Sequence, residues 1–357
     1  MTSTDLRPIR VLIVGTGGMA HAHAEAYAAM EGVELVGGVD RNPDALHAFN
    51  ARHGIVHAFD SVVEALHWGA FDAVSNVTPD AVHFPTTLPL LSAGKHVLCE
   101  KPLAVSHAEA AQMADAAHRA GVVNMVNLTY RNVPAVMEAA RMVAEGAIGE
   151  VRHFEASYLQ SWLTQPAWGK WDEEAQWLWR LSSAHGSLGV LGDVGVHILD
   201  FATFVAGADT AQMSCRLRTF DKAPAGRIGA YTLDANDSAT MQVQLTNGAV
   251  GVVHASRMAS GHLNDLRLRI FGTTGGLDVR WEGNQSILRA CLEPDLMTGT
   301  WTDVQMPPVR TNYVRFIDAI RAGAMVVPDF NRGAVLQQAL DAAVASDMDG
   351  CRDVAVA

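Results

Sequence analysis

Apolar and polar positions follow two different rhythms along this chain, and the change falls near residue 130. Before it, short apolar runs bounded by turn residues recur at Ile9–Val14, Val33–Val39, Val56–Phe59, Ala73–Val77, His96–Cys99 and Val122–Val126. Runs that are apolar throughout, rather than alternating, read as parallel strands covered on both faces. Helices are expected between them. His21–Met30 is rich in alanine, and Asn42-Pro43 gives an N-cap with proline at the first helical position for a helix closing at Gly54. Strands separated in this way by helices predict an α/β unit with a doubly wound parallel sheet.

Beyond residue 130 the rhythm becomes alternation. A helix over Pro134–Glu145, stopped by Gly146, leads into Glu150–Gln160, where apolar and polar residues take turns. Further strands are expected at Met213–Thr219, Ser238–Leu245, Ala249–Arg257 and Leu266–Phe271, with turn signals at Asn247-Gly248 and Gly275-Gly276. Tyr313–Ala322 and Gly333–Asp347 return to helix. The second half therefore reads as an α+β domain on a large, mostly antiparallel sheet.

Composition narrows the partners. A chain of 357 residues fits two domains with real cores, and a net charge of 26 − 38 = −12 without a basic run argues against nucleic acid and anionic membrane surfaces. No apolar run approaches a membrane span of about 18 residues, and the opening MTSTDLRPIR lacks a hydrophobic signal core. Cys99, Cys215, Cys291 and Cys351 are scattered, and Cys99 falls in an apparent core strand, so a reduced, cytoplasmic setting is expected. No metal site is expected either: His21 and His23 would face about 200° apart on a helix.

The first strand runs into GTGGMA, residues 15–20, a G-x-G-x-x-A pattern at the opening of a helix. Gly15 permits the tight turn, Gly17 lets the backbone approach a pyrophosphate, and Ala20 allows close helix–strand packing. Thr16, Gly18 and Met19 complete the loop, whose free N–H groups and helix dipole suit phosphates. The second strand ends in Asp40, placed to accept from the adenosine ribose hydroxyls and to favour NAD over NADP; Arg41 beside it could instead pair with a 2′-phosphate. Residues 1–128 are thus expected to form a dinucleotide-binding Rossmann domain. Residues 129–357 would form a substrate-binding and oligomerisation domain, whose closing helices can pack back on the first.

Two further features carry chemistry. Lys101 is one of only four lysines, with Lys95, Lys170 and Lys222, and it stands in Cys-Glu-Lys-Pro at the end of the fifth strand. Ligands bind at that edge of a doubly wound sheet, and an ammonium, unlike a guanidinium, shifts its proton readily when desolvated. In GVLGDVGVHILD, residues 189–200, Asp193 and His197 stand at i and i+4, which on a helix share a face. Glycines there make a poor solvent helix and suit a close approach. Tyr130, Arg131, Tyr158, Gln160, Trp162 and His185 mix hydrogen-bonding groups with flat apolar faces, a combination that suits a ring carrying many hydroxyls. Five of eight tryptophans lie between 162 and 179; Trp168, Trp171 and Trp177 read chiefly as packing.

GTGGMA, Asp40, Asn-Val-Thr-Pro at 76–79, Glu-Lys-Pro at 100–102 and D-x-x-x-H at 193–197 together resemble the glucose–fructose oxidoreductase and inositol dehydrogenase family. The resemblance implies a Rossmann domain joined to a sheet domain, and hydride transfer between NAD(P) and a secondary alcohol of a sugar or cyclic polyol. It makes His197 the acid–base, has Asp193 orient that histidine or the sugar, and has Lys101 bind and polarise the reacting oxygen. It places Asn76, Thr78, Pro79, His83, Glu100 and Asn127 along the nicotinamide half. Trp179-Arg180 would approach cofactor and substrate, and the chain would pair as a homodimer or homotetramer through the sheet. Relatives of this fold also include non-catalytic dinucleotide sensors and NAD-dependent glycoside hydrolases. A sensor is expected to lack Lys101 or His197, and this chain has both.

Overall fold

The computed structural model describes residues 7–166 and 168–356. The first six residues, on which part of the signal-segment reading rests, lie outside the described residues. The chain forms two compact units. One runs to Leu128 and takes in Arg310–Ala334; the other holds Thr129–Val309 and the chain from Val335 on.

The first unit is a six-stranded parallel sheet of β1 (Ile9–Val14), β2 (Val33–Val39), β3 (His57–Phe59), β4 (Ala73–Asn76), β5 (His96–Cys99) and β6 (Asn124–Val126). Its order is β3-β2-β1-β4-β5-β6. Because β2 and β4 flank β1 on opposite sides, the order reverses between β1 and β4, where open α/β sheets hold ligands. The intervening helices are α1 (Gly18–Ala28), α2 (Pro43–His53), α3 (Val62–Trp68), α4 (His83–Ser92) and α5 (His107–Ala120). Helix α1 starts three residues before the expected His21, because the glycine turn itself opens it: Ala20 N–H donates to the Gly17 carbonyl at 3.0 Å. Asn42 caps α2 by accepting from Asp44 and Ala45, and Gly54 closes it in the left-handed region. Val11, Leu12 and Ile13 are fully buried, and Phe316 and Ile317 from the far end of the chain pack into the same core as Val11 and Ile13.

The second unit carries α6 (Pro134–Ala144), β7 (Val151–Leu159), the short α7 (Ala175–Leu178) and α8 (Val196–Ala206). Its strands continue with β8 (Thr210–Arg218), the small β9 (Arg227–Ile228) and β10 (Tyr231–Thr232) pair, β11 (Ser238–Leu245) and β12 (Val250–Ser256). Then come β13 (Asp265–Gly272), β14 (Gly275–Glu282), β15 (Gln285–Leu292) and β16 (Thr302–Asp303). Helix α9 (Asn312–Ala322) belongs to the first unit, and α10 (Phe330–Met348) and a final β17 (Val354–Ala355) follow it along the chain. Nine strands join in the order β16-β15-β14-β13-β7-β12-β11-β8-β17, and only β7 and β12 pair in parallel. Period-2 burial gives the sheet one apolar face, with Phe154, Ala156, Met241, Val243, Val253, Leu268 and Ile270 buried, against which α6 and α8 pack.

Three local readings change. The turn expected at Gly275-Gly276 lies earlier, at residues 273–274, and both glycines open β14. The β14–β15 hairpin was missed, although Gly283 and Asn284 both adopt positive φ at its turn, as a two-residue hairpin loop requires. The helix expected over Gly189–Asp200 is interrupted: Leu191–Gly195 is a π turn, and α8 continues from Val196. Asp193 therefore stands on the wider π turn and His197 is the second residue of α8.

Candidate active site

Around β1, the cradle is built from backbone. Gly15 has φ +86°, and a Cβ there would stand 2.8 Å from the Val77 carbonyl oxygen, so the turn needs glycine to lie against the loop after β4. A Cβ on Gly17 or Gly18 would meet nothing within 4 Å, leaving open space directly above the start of α1. No side chain caps that helix and no acidic residue sits in its first turn. Unoccupied space, uncapped N–H groups and a helix dipole are what a dinucleotide pyrophosphate requires, and the residues present fit it.

Asp40 is held in place from below. Its Oδ2 accepts from Thr16 N and Oγ1, both at 2.8 Å, and its Oδ1 accepts from Asn42 N at 2.9 Å. Arg41 is exposed. Asn76 donates to Thr86 and Thr87 while its Oδ1 accepts from Thr78 N and Oγ1, which fixes the loop through Pro79.

Glu100 is the centre of a buried polar knot. His23 Nε2 donates to its Oε1 at 2.9 Å, Asn127 Nδ2 donates to the same oxygen at 2.6 Å, and Lys101 N donates to its Oε2 at 3.2 Å. Burial alone would raise this carboxyl's pKa; the bonds from His23, the Lys101 charge and Asn127 reverse that and hold it down at about 2. Tyr313 receives from Asn127 and sets its ring edge-on to His23. The H-x-H pair thus separates: His23 joins Glu100, and His21 bonds the His53 ring at 2.7 Å. The side chain of His83 is wholly buried, bonded by both ring nitrogens to backbone carbonyls. As placed, it ties the loop after β4 to the turn at Pro102.

In the second unit, His197 is 7% exposed, and Tyr130 lies edge-on to it with ring centres 5.0 Å apart. A hydroxyl and amide network extends from there: Tyr130 and Tyr158 hydroxyls meet at 2.5 Å, Tyr158 donates to Asn264 Oδ1 at 2.6 Å, and Asn264 Nδ2 donates to Tyr130 at 2.9 Å. Gln160 Nε2 donates to the same Asn264 oxygen and accepts from Trp162 Nε1 through its own carbonyl. Burial pushes the Tyr130 phenol up to about 12 and raises that of Tyr158 well above its ordinary value, so both stay neutral hydrogen-bonding groups.

Asp193 pairs with a residue the sequence reading did not single out. Arg257, fully buried just after β12, donates to Asp193 Oδ2 at 2.9 Å and to the carbonyls of Arg180 and Gly189. Its guanidinium lies 5.1 Å from the Trp162 ring centre. Arg180 itself comes within 4.0 Å of Asp193. The glycines at and just before the π turn lie against protein: a Cβ on Gly189 would clash with Asn236 and one on Gly192 with Leu188. Two expected substrate residues are committed elsewhere. Arg131 is buried in a two-pronged pair with Asp200, both bonds 2.7 Å, over the Phe204 ring, and this anchors α8. His185 sits exposed on a turn, its ring tilted against Tyr231 and bonded to Ser182. Trp162, Leu163, Leu178, Leu181 and Leu233 form a small core with Trp171 and Trp177 against it, so the tryptophan-rich segment is largely packing.

Residues 9–128 match the model of an oxidoreductase family with an NAD-binding Rossmann fold, and residues 136–278 match the GFO/IDH/MocA C-terminal domain. A solved oxidoreductase domain protein from Kribbella flavida is 30% identical and superposes with a TM-score of 0.88 over 99% of this chain and 100% of that one. The chain belongs to the GFO/IDH/MocA family. Levoglucosan dehydrogenase from Pseudarthrobacter phenanthrenivorans is 29% identical over 299 residues, 78% of this chain and 75% of that protein. A structure of levoglucosan dehydrogenase with NADH and levoglucosan is 26% identical, with a TM-score of 0.86 over 98% of this chain and all of that one. This GFO/IDH/MocA protein is accordingly an NAD-binding oxidoreductase from a family of sugar and polyol dehydrogenases. Among the described residues, no helix is long and apolar enough to cross a membrane.

Proposed function

We propose that the protein oxidises or reduces a secondary alcohol of a neutral sugar or cyclic polyol, with His197 as acid–base, Lys101 polarising the reacting oxygen and Asp193 as the neighbouring carboxylate. The observation that carries this is the setting of His197: a nearly buried imidazole beside two neutral tyrosine hydroxyls and two amides, in a chain whose first unit binds NAD. When bound, the nicotinamide supplies the hydride acceptor or donor. His197 takes the hydroxyl proton as the alcohol is oxidised and returns it in reduction, as a group titrating near neutrality can. Lys101 offers compact positive charge where alkoxide develops, and Tyr130, Asn264 and Gln160 offer the donors and acceptors that a polyhydroxylated ring needs. Levoglucosan is a substrate candidate, from the similarity to levoglucosan dehydrogenase.

Asp40, already fixed by Thr16 and Asn42, favours a ribose diol over a 2′-phosphate, so NAD is preferred to NADP. The sheet face opposite α6 and α8 carries exposed Val250 and Val252 among charges that are paired within the chain: Arg267 and Arg280 with Asp278, Arg269 with Glu155. A broad face of that kind suits pairing with a second copy. The reading is tested by following nicotinamide absorbance against levoglucosan, glucosides and inositols. Turnover on at least one supports it. Tight NADH binding with no turnover on any of them, or turnover confined to simple hydroxy acids, overturns it.

A further inference from the structure

His83 is the first residue of α4, has no solvent exposure, and takes no part in the chemistry proposed above. Its Nδ1 lies 2.8 Å from the Pro102 carbonyl oxygen and its Nε2 lies 2.8 Å from the Thr78 carbonyl oxygen. A carbonyl oxygen can only accept. A neutral imidazole has one N–H and one bare lone pair, so in either tautomer one of these contacts would set two lone pairs against each other at a side chain with no solvent exposure. Only the doubly protonated ring satisfies both. A cation at the amino end of a helix is otherwise unfavourable, because the dipole there favours negative charge. The two carbonyls therefore have to outweigh the dipole.

We propose that His83 is a buried imidazolium that acts as a positioning residue, tying the loop after β4 to the turn that carries Lys101. The two segments it joins are Asn76–Pro79, whose backbone touches Gly15, and Glu100–Pro102, whose backbone Glu100 also grips through Lys101 N. Loss of the proton would free one of the two carbonyls and loosen one tie. The titratable groups facing the ring are Cys99 at the end of β5 and Asp80 on the turn before α4, with Glu100 and Lys101 next along the chain after Cys99. Burial opposes the charge, but the Cys99 sulfur, Asp80 and the Pro102 carbonyl prevail and raise the ring's pKa to about 10. A folded-state pKa raised above the ordinary value near 6.5 contributes stability that is complete below about pH 6.5 and is lost as pH climbs through about 10.

The charge is read directly from long-range proton–nitrogen NMR of the full chain labelled with 15N-histidine, with His83 assigned through its backbone. Both His83 ring nitrogens should stay protonated at about pH 8.5, where an ordinary imidazole has lost its second proton. One protonated nitrogen at that pH overturns the proposal, and the wild-type spectrum decides this whether or not any variant folds. Positioning is read from His83→Gln, which keeps hydrogen-bonding capacity but not the charge. NADH should bind about tenfold more weakly, and the melting-temperature deficit against wild type should shrink between about pH 6.5 and about 10. Unchanged NADH affinity would remove the positioning role, and a deficit independent of pH would mean packing alone. These arms use neither substrate nor turnover, so the proposal stands or falls separately from the acid–base role of His197.

Discussion

The nucleotide cradle of the first unit takes its groups from consecutive stretches of chain, Gly15–Met19 and Asn76–Pro79, and much of what it offers is backbone and missing side chain. The His197 cluster of the second unit gathers Tyr130, Tyr158, Gln160, Asp193, Arg257 and Asn264 from five separate segments, and everything it offers is side chain. One is defined by room and N–H groups; the other by hydroxyls, amides and the buried charge pair of Arg257 with Asp193. The difference teaches where damage should appear. Changes in the cradle should be read in cofactor affinity, and changes in the cluster in turnover.

Lys101 is the sharpest way to break that division, because it belongs to the cradle's unit yet is assigned to the chemistry. Lys101→Ala should lower kcat by roughly 10²–10⁴-fold and weaken substrate binding, while NADH affinity changes little. Lys101→Arg should not restore it, since a planar guanidinium cannot replace a compact point charge. Loss confined to NADH binding would return Lys101 to the cradle. Next in size is Arg257→Gln. Removing a wholly buried guanidinium leaves Asp193 without its main partner and frees the Arg180 and Gly189 carbonyls, so melting temperature should fall by several degrees and kcat by about tenfold. NADH affinity measured alongside should hold within about twofold; if it collapses with kcat, the cluster is not separable from the cradle. The smallest effect is expected from Gly17→Ala. Its Cβ meets no protein atom, so melting temperature should hold, but it would stand in the space left for the pyrophosphate and weaken NADH several-fold. An unchanged NADH dissociation constant would mean the open space is not where the cofactor lies.

The same contrast explains what the sequence made legible. The glycine turn, Asp40 and the six parallel strands are local patterns: a run of apolar residues or a glycine at fixed spacing states its own conformation. The strand alternation of the second unit was legible for the same reason, except in the two-residue strands β9, β10, β16 and β17, too short to alternate, and in β14 and β15, where the Gly283-Asn284 turn was the overlooked signal. What stayed hidden was non-local. Nothing near Asp193 announces that Arg257, 64 positions on, supplies its counter-charge, and nothing in Tyr130 points to Asn264. The π turn was hidden because glycines 189 and 192 are required by packing on Asn236 and Leu188, which only the fold reveals. Arg131 and His185 carried suitable chemistry by type, and their partners, Asp200 and Tyr231, took them out of the cluster.

The central claim is that His197, not the cofactor cradle alone, performs the proton transfer of the reaction. It is tested most directly by measuring kcat and the NADH dissociation constant of His197→Ala on one folded preparation, with melting temperature as the control. The account predicts kcat lower by roughly 10²–10⁴-fold with NADH binding nearly unchanged. A variant that folds normally and turns over at the wild-type rate would contradict it.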